Sequence, residues 1–314
     1  MNTTIENIKF YKEVLIKSLS KFSNDDIFTH AAALSYYTIF SLPPMLLIII
    51  STTTWFYDEK AVKESIFNQI GELVGEDGAQ QLLQTIERLN VFEPTLWATV
   101  LGGVVLIFTA TSVFVTMQNA LNRIFKVKPK PSSGWGILKM VKDRVLSFTL
   151  VIGVAFILLA SLVVNALLEA FGKYLQELFG SVSLLMTFLT SILLPFVIIT
   201  LMFAMIFKFL PDARLKWKDT WFGAILTSVL FVIGKYLISF YIGNSNVAGL
   251  YDAAGSVMVI MVWVFYAAII VLYGAVFTFS YIKEKGERMP PQDFAVKVEI
   301  KEIEQSPQPG LHNT

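Results

Sequence analysis

Residues 256–279 read SVMVIMVWVFYAAIIVLYGAVFTF and contain no charged side chain. A helix that crosses the hydrocarbon core of a bilayer needs roughly 20 mostly apolar residues. This stretch is therefore long enough and apolar enough to span a membrane. We expect it to be a helix, because lipid offers no hydrogen-bond partner to open backbone groups.

Five further stretches meet the same criterion, and only the one at residues 220–241 contains a charge, Lys235. The other four lie at residues 31–55, 95–118, 145–168 and 184–207. The sequence thus predicts an all-α, polytopic membrane bundle of six transmembrane helices. Within it, Gly102-Gly103, Gly223 with Thr227, and Gly274-Ala275 are expected to allow close contact between helices.

The composition supports a membrane protein. Apolar residues make up 55% of the chain and charged residues 16%, against about 45–50% and about 25% in soluble domains. A soluble enzyme and a disordered chain are excluded, and a net charge of +1 argues against a nucleic-acid partner. With no cysteine and two histidines, we expect no metal and no cofactor. No nucleophile elbow, Walker loop or paired intramembrane carboxylates occur, so we expect a non-enzymatic protein.

The distribution of lysine and arginine predicts the orientation. If the N-terminus is cytoplasmic, the inside segments carry 20 of these residues and the outside segments carry 4. Basic residues favour the cytoplasmic side, so both termini are expected there. Three parts follow: a cytoplasmic amphipathic segment at 1–30, a six-helix domain at 31–282, and a cytoplasmic tail at 283–314, partly disordered.

Two segments outside the predicted spans have helical patterns. In residues 5–22 an apolar stripe is flanked by lysines, which fits either a helix on the membrane surface or one packed under the bundle. That stripe consists of Ile8, Tyr11, Leu15, Leu19 and Phe22. The acidic segment 56–94 has two apolar stripes separated by Glu76-Asp77-Gly78, so we expect a helical hairpin that caps the outer side.

Lys235 is the first candidate for a substrate site. An intramembrane charge usually faces a cavity or a partner, although a lysine near the outer boundary could instead reach the headgroups. The polar residues predicted near it could line a cavity or serve as ordinary helix contacts. The candidate cavity set is Lys235, Asp252, Tyr251, Asn244, Asn165, Glu169 and Lys173.

Two further groups of residues are candidates for function. Pro43 and Pro44 in the first span and Pro195 in the fourth lie near mid-bilayer, where each should kink or break its helix. Four basic residues follow the second span, where anionic headgroups lie. Topology alone would also require basic residues at this place. The candidates for lipid contact are Arg123, Lys126, Lys128 and Lys130.

Four motifs, in order, resemble the BrkB/YihY family of bacterial inner-membrane proteins, once labelled ribonuclease BN. They are AAALSYY at 31–37 running to SLPP at 41–44, NALNRIF at 119–125, LPD at 210–212 with Gly223-Ala224, and YDAAG at 251–255 with LYGA at 272–275. The resemblance covers residues 10–285 and implies a six-helix membrane protein. It transfers no catalytic residues. The family usually has Gly where this chain has Asp252, and often an acid where it has Val276.

Together these features favour a protein that transports or handles a lipid or a lipid-linked substrate through a cavity between kinked helices. The alternative is a scaffold that docks an envelope protein through segment 56–94 or the basic segment 119–144. Membrane lipids are the expected partners in the first case, and an envelope protein in the second.

Overall fold

The computed structural model describes residues 2–24, 26–53, 58, 60, 64, 67, 96–130, 192–244 and 253–299. This part of the chain is mostly helical and contains one small two-stranded sheet. Its elements are α1 (Asn2–Asn24), α2 (Ile27–Thr53), α3 (Leu96–Ile124), β1 (Val127–Pro129), α4 (Leu194–Phe209), α5 (Trp217–Asn244), α6 (Ala253–Glu284) and β2 (Ala295–Lys297).

Three described helices are long and apolar enough to cross a membrane. They are Gly103–Ile124 in α3, Trp217–Ile238 in α5 and Ile260–Glu284 in α6. The prediction of a mainly helical bundle with apolar membrane helices is confirmed to this extent. The count of six spans, their orientation and the hairpin cap stay predictions. Residues 145–168 and most of 56–94 lie outside the described residues.

α5 and α6 pack so closely that three glycines leave no room for a Cβ atom, one of them being Gly234, where it would lie 1.9 Å from the Tyr266 ring. A Cβ atom would lie 1.7 Å from Thr278 Oγ1 at Gly223, and 1.8 Å from Thr227 Oγ1 at Gly274. This confirms the prediction that Gly223 and Gly274 serve close helix contact. At Gly103, in contrast, a Cβ atom would meet no described atom within 4 Å.

α1 packs one face against α6. Val14 and Ser18 are fully buried. The Ser18 hydroxyl lies 3.2 Å from the Tyr273 hydroxyl, and the ring of Phe10 meets that of Tyr281 edge to face. Helical spacing of four residues places Phe10, Val14 and Ser18 on the same side of α1, so this side is the one that packs.

The apolar stripe predicted on α1 lies mostly on another side. Tyr11, Leu15 and Leu19 are 40%, 41% and 58% exposed, whereas Phe22 is half-buried and contacts α6. The stripe fitted either the membrane surface or the underside of the bundle, and exposure at these three positions leaves a helix on the membrane surface as a prediction. Ser18 can be buried on the packed side at low cost, because its hydroxyl donates to the Leu15 carbonyl at 2.8 Å.

The two proline positions differ. α2 runs as one helix from Ile27 to Thr53, through positions 43 and 44, so the helix is not broken there and a kink stays a prediction. Near Pro195 the hydrogen-bonding pattern is π-helical at residues 192 and 193 and α-helical from Leu194 onward. Such a change of pattern fits a residue that has no backbone N–H.

After α6 the chain folds back along the bundle end. β1 and β2 pair antiparallel, with Val127 opposite Lys297 and Pro129 opposite Ala295. We call residues 285–299 the C-terminal strap. Residues 300–314, where disorder was expected, lie outside the described residues.

Candidate functional site

A buried carboxylate joins the end of α3 to the loop between α4 and α5. Asp212 is 4% exposed and accepts hydrogen bonds from Asn122 Nδ2 at 2.8 Å and Gln118 Nε2 at 3.1 Å. Its backbone N–H donates to Asn122 Oδ1 at 2.7 Å, so Asn122 and Asp212 bond in both directions. Hydrogen bonds to charged groups are worth about 1.5–3 kcal/mol, and these fix the register of the two segments.

The C-terminal strap crosses this junction. The Gln292 N–H donates to the Asp212 carbonyl, and the Arg214 N–H donates to the Pro290 carbonyl, both at 2.8 Å. The Arg214 guanidinium also pairs with Asp293. The strap therefore connects the loop between α4 and α5 to the end of α6.

Four alternating charges hold the beginning of the strap against α5. Lys285 Nζ lies 3.2 Å from Asp219, which is 1% exposed, and 2.7 Å from Glu287. Lys216 Nζ lies 2.6 Å from Glu287 on its other side. The hydrogen bonds from Lys216 and then Lys285 lower the pKa of Glu287 to about 2. Hydrogen bonds to Glu287 and then Asp219 raise the pKa of Lys285 above its usual value.

A cleft of about 510 Å³ opens between the end of α3, β1 and the strap. Three of the four residues predicted to contact anionic lipid line it, namely Arg123, Lys126 and Lys128. Lys130 is not among its lining residues and donates from Nζ to the Asp293 carbonyl at 2.8 Å. We call this the basic cleft, and its lining residues are Asn119, Asn122, Arg123, Lys126, Val127, Lys128, Pro129 and Val298.

The connection between α1 and α2 is fixed at the edge of the basic cleft. Arg123 Nη2 lies 2.5 Å from Asp26 Oδ2, and Asp26 has a φ of 51°, in the left-handed region. The His30 N–H donates to the Asp26 carbonyl at 3.1 Å. Burial and then the Arg123 charge lower the pKa of the His30 imidazole.

Lys235 lies on α5, well away from these charges. Its side chain is half-buried, while Tyr236 and Leu237 beside it are 71% and 61% exposed. Sixteen residues separate it from Asp219, which is roughly 24 Å at 1.5 Å per residue. It forms no ion pair with a residue that the structure describes.

No contact among the described residues joins Lys235 to another member of the candidate cavity set. Asn244 is the last residue of α5. The others, Asp252, Tyr251, Asn165, Glu169 and Lys173, lie outside the described residues. Among the described residues no group of three or more His, Asp or Glu side chains could hold a metal ion.

Sequence reasoning missed the buried acids Asp212 and Asp219 and their partners Asn122 and Lys285 as site residues. A signal was present, since Asn122 and Asp212 belong to two of the four motifs quoted above. A carboxylate directly after an apolar helix has to find a donor when it is buried. The sequence does not indicate which donor, because Asn122 is 90 positions away from Asp212.

The family model described as "Virulence factor BrkB" matches residues 18–296. Curated relatives named UPF0761 membrane protein also match. One from Albidiferax ferrireducens is 26% identical over 82% of this chain and 59% of its own length. One from Psychromonas ingrahamii is 26% identical over 86% of this chain and 88% of its own length. A third, from Stenotrophomonas maltophilia, is 27% identical over 81% of this chain and 57% of its own length.

This chain therefore spans less than two thirds of the length of two of these relatives. No solved structure matches it. The family match nevertheless takes in α2, the buried Asn122–Asp212 pair, the charge network around Glu287 and most of the strap. The chain belongs to the BrkB family of membrane proteins, as its four motifs predicted.

Proposed function

We propose that this chain is a multi-pass inner-membrane protein with six transmembrane helices and both termini in the cytoplasm. It transports or handles a lipid or a lipid-linked substrate and has no catalytic activity of its own. The observation that carries this proposal is the placement of Lys235. It is a half-buried charge on α5, a helix otherwise apolar enough to span a membrane.

The outer surfaces of the helices support a lipid environment. On α3, Trp97, Leu101, Val104 and Phe108 are between 61% and 78% exposed. Contiguous exposed apolar surface of this kind is unusual in water and normal against acyl chains. The basic cleft lies just beyond the end of α3, where a headgroup would meet its lysines.

Lipid movement in vesicles tests the proposal. The purified chain is reconstituted with phosphatidylglycerol that carries a fluorescent headgroup label, and dithionite reports which leaflet the label occupies. We expect faster transfer between leaflets than in protein-free vesicles, and slower transfer in Lys235→Ala. Lys218→Ala is the matched control, because Lys218 is an exposed lysine on the same helix.

Two outcomes would contradict the proposal in different ways. Equal transfer by Lys235→Ala and the native chain would remove the role of Lys235. Transfer no faster than in protein-free vesicles, for phosphatidylglycerol and for other labelled lipids, would rule out transport of these lipids.

A further inference from the structure

We propose that the basic cleft is a binding site for a phosphate group, with Lys126 and Lys128 as its two cationic ligands. The inference rests on the proposed function, because it names the chemical class of the substrate that would be handled. The phosphate could belong to a lipid headgroup or to a soluble phosphate. The site recognises the charge and the oxygen atoms that both sources share.

Both lysines line the basic cleft beside the small sheet. Lys126, two residues beyond the end of α3 and directly before β1, adopts a φ of 55°, and Lys128 is the middle residue of β1. Successive strand residues point to opposite faces, and Val127 between them is buried at 4% exposure. Both lysines are exposed and line the cleft.

The charge that remains in the basic cleft matches a phosphate. Arg123 is paired with Asp26 at 2.5 Å, so its charge is already balanced. Lys126 and Lys128 form no ion pair with any described residue. Two unpaired ammonium groups fit a phosphate diester of one negative charge or a monoester of nearly two.

A second, smaller cleft differs from the basic cleft in how its cations are paired. It has a volume of about 320 Å³, and its lining includes Arg214 and Lys216. Two of its three cations already have partners, because Arg214 pairs with Asp293 and Lys216 lies 2.6 Å from Glu287. The third is Arg288, and the carboxylates of Asp219 and Glu287 line the same cleft. Its ion pairs hold the strap in place, whereas the basic cleft leaves its lysines available to a ligand.

The remaining walls of the basic cleft suit a phosphate that carries an organic group. Asn119 supplies an amide group, and Pro129 and Val298 supply apolar surface. A volume of about 510 Å³ falls within the range of small-molecule sites, about 300–1,000 Å³. Val298 belongs to the strap, and its N–H donates to the Lys126 carbonyl at 2.9 Å, so the strap completes the site.

Calorimetric titration of the full chain in a non-ionic detergent tests this site. The probes are dioctanoyl phosphatidylglycerol, dioctanoylglycerol, which lacks the phosphate, and inorganic phosphate, all at one ionic strength. We expect phosphatidylglycerol to bind and dioctanoylglycerol not to bind. The double variant Lys126→Gln, Lys128→Gln should bind phosphatidylglycerol about thirtyfold more weakly, from the usual contribution of a lysine near an anionic headgroup.

Two further variants control for net charge and for folding. Lys218→Gln with Lys283→Gln removes two exposed lysines that line neither described cleft, and it should bind as the native chain does. Lys126→Arg with Lys128→Arg should keep most of the affinity. If inorganic phosphate displaces phosphatidylglycerol and depends on the same lysines, the site is supported and free phosphate is identified as a ligand.

Some results would overturn the site. These are equal phosphatidylglycerol affinity in the native chain and the glutamine variant, an equal loss in the Lys218, Lys283 control, and binding of dioctanoylglycerol as tight as that of phosphatidylglycerol. If these results are obtained while lipid transfer still depends on Lys235, they would rule out the phosphate site and leave the transport function in place. Phosphate binding at these lysines without any lipid transfer would instead remove the transport function alone.

Discussion

The α5–α6 contact and the polar end of the bundle are stabilised in opposite ways. The polar end is the region where the C-terminal strap meets the end of α3 and the loop between α4 and α5. Between α5 and α6 the helices meet because Gly223 and Gly274 have no side chain, and Thr278 and Thr227 fill the space. At the polar end, segments far apart in sequence meet through charged and amide groups, with the Asn122–Asp212 pair at the centre.

The difference predicts how each region responds to change. Tight packing does not tolerate an added atom, because the neighbouring helix cannot move without losing its other contacts. Hydrogen bonds and ion pairs are directional and depend on protonation, so they can be weakened in steps or exchanged between partners.

The largest effect is expected from Gly223→Val. Its Cβ atom would lie 1.7 Å from Thr278 Oγ1 and 3.1 Å from the Gly274 carbonyl oxygen. The side chain of Thr278 could rotate away, but the backbone oxygen could not. We expect a loss of about 3 kcal/mol in the free energy of unfolding, measured as a lower thermal midpoint of the detergent-solubilised chain.

Gly103→Val is the matched control for this substitution. It also replaces a glycine within an apolar helix, but no described atom lies within 4 Å of the added Cβ position. A fall of the thermal midpoint as large at residue 103 as at residue 223 would show that the glycine contact is not what holds α5 to α6.

A smaller effect is expected from Asp212→Asn. The new amide keeps the shape but turns an N–H₂ group toward a donor, either Asn122 Nδ2 or Gln118 Nε2. One buried hydrogen bond to a charged group is lost, so we expect a loss of about 2 kcal/mol in the free energy of unfolding. The thermal midpoint of the purified chain measures it.

The exchange variant sharpens this test. In Asn122→Asp with Asp212→Asn, the carboxylate moves to position 122 and the amide to position 212, so both bonds of the pair can form again. We expect the double variant to recover more than half of the loss seen in Asp212→Asn. A double variant less stable than either single variant would show that Asp212 is needed for other contacts rather than for this pair.

A pH effect is expected at Glu287, which differs from the α5–α6 contact in being titratable. Its pKa in the folded chain is lowered to about 2, so the carboxylate contributes stability above the pKa of the unfolded chain, about 4.3. This contribution is lost as the pH falls from there through about 2. Hydrogen exchange of residues 285–299, corrected for intrinsic rates, should rise over this range.

Glu287→Gln should reduce that pH dependence, because an amide does not titrate, and what remains would come from the other strap carboxylates such as Asp293 and from Asp219. Glu299→Gln is the control, since Glu299 is an exposed carboxylate near the end of the same strap. An identical rise in exchange in the native chain and Glu287→Gln would place the acid-sensitive group elsewhere.

The sequence predicted the first of these two regions much better than the second. Apolar runs of membrane length and small residues at helical spacing are local patterns, and they located α3, α5, α6 and the contact at Gly223 and Gly274. On α1 the pattern left two alternatives open, and it did not indicate that Ser18 would be buried against α6 while Leu15 and Leu19 stay exposed. A hydrogen bond to the Leu15 carbonyl is what allows the Ser18 hydroxyl to be buried.

The polar end could not be predicted because its pairs depend on how the helices are arranged. Asn122 and Asp212 are 90 positions apart, and Asp219 and Lys285 are 66 apart. Lys130 resembled Lys126 and Lys128 in sequence, but pairing of β1 with β2 directs it to the Asp293 carbonyl. Only a two-residue difference in position separates a residue that fixes the strap from one that lines the basic cleft.

The smallest effect is expected from Lys17→Gln, on the packed side of the comparison. Lys17 lies 2.7 Å from Glu284 at the end of α6 and 2.9 Å from Glu13, and hydrogen bonds to Glu284 and then Glu13 raise its pKa. The pair is exposed, and such pairs contribute little, so the thermal midpoint should fall by at most about 2 °C. Val14→Ala removes two buried methyl groups from the same face and should lower it by more. If Lys17→Gln had the larger effect, α1 would be held to α6 by charge, and the division between a packed region and a polar region would not extend to α1.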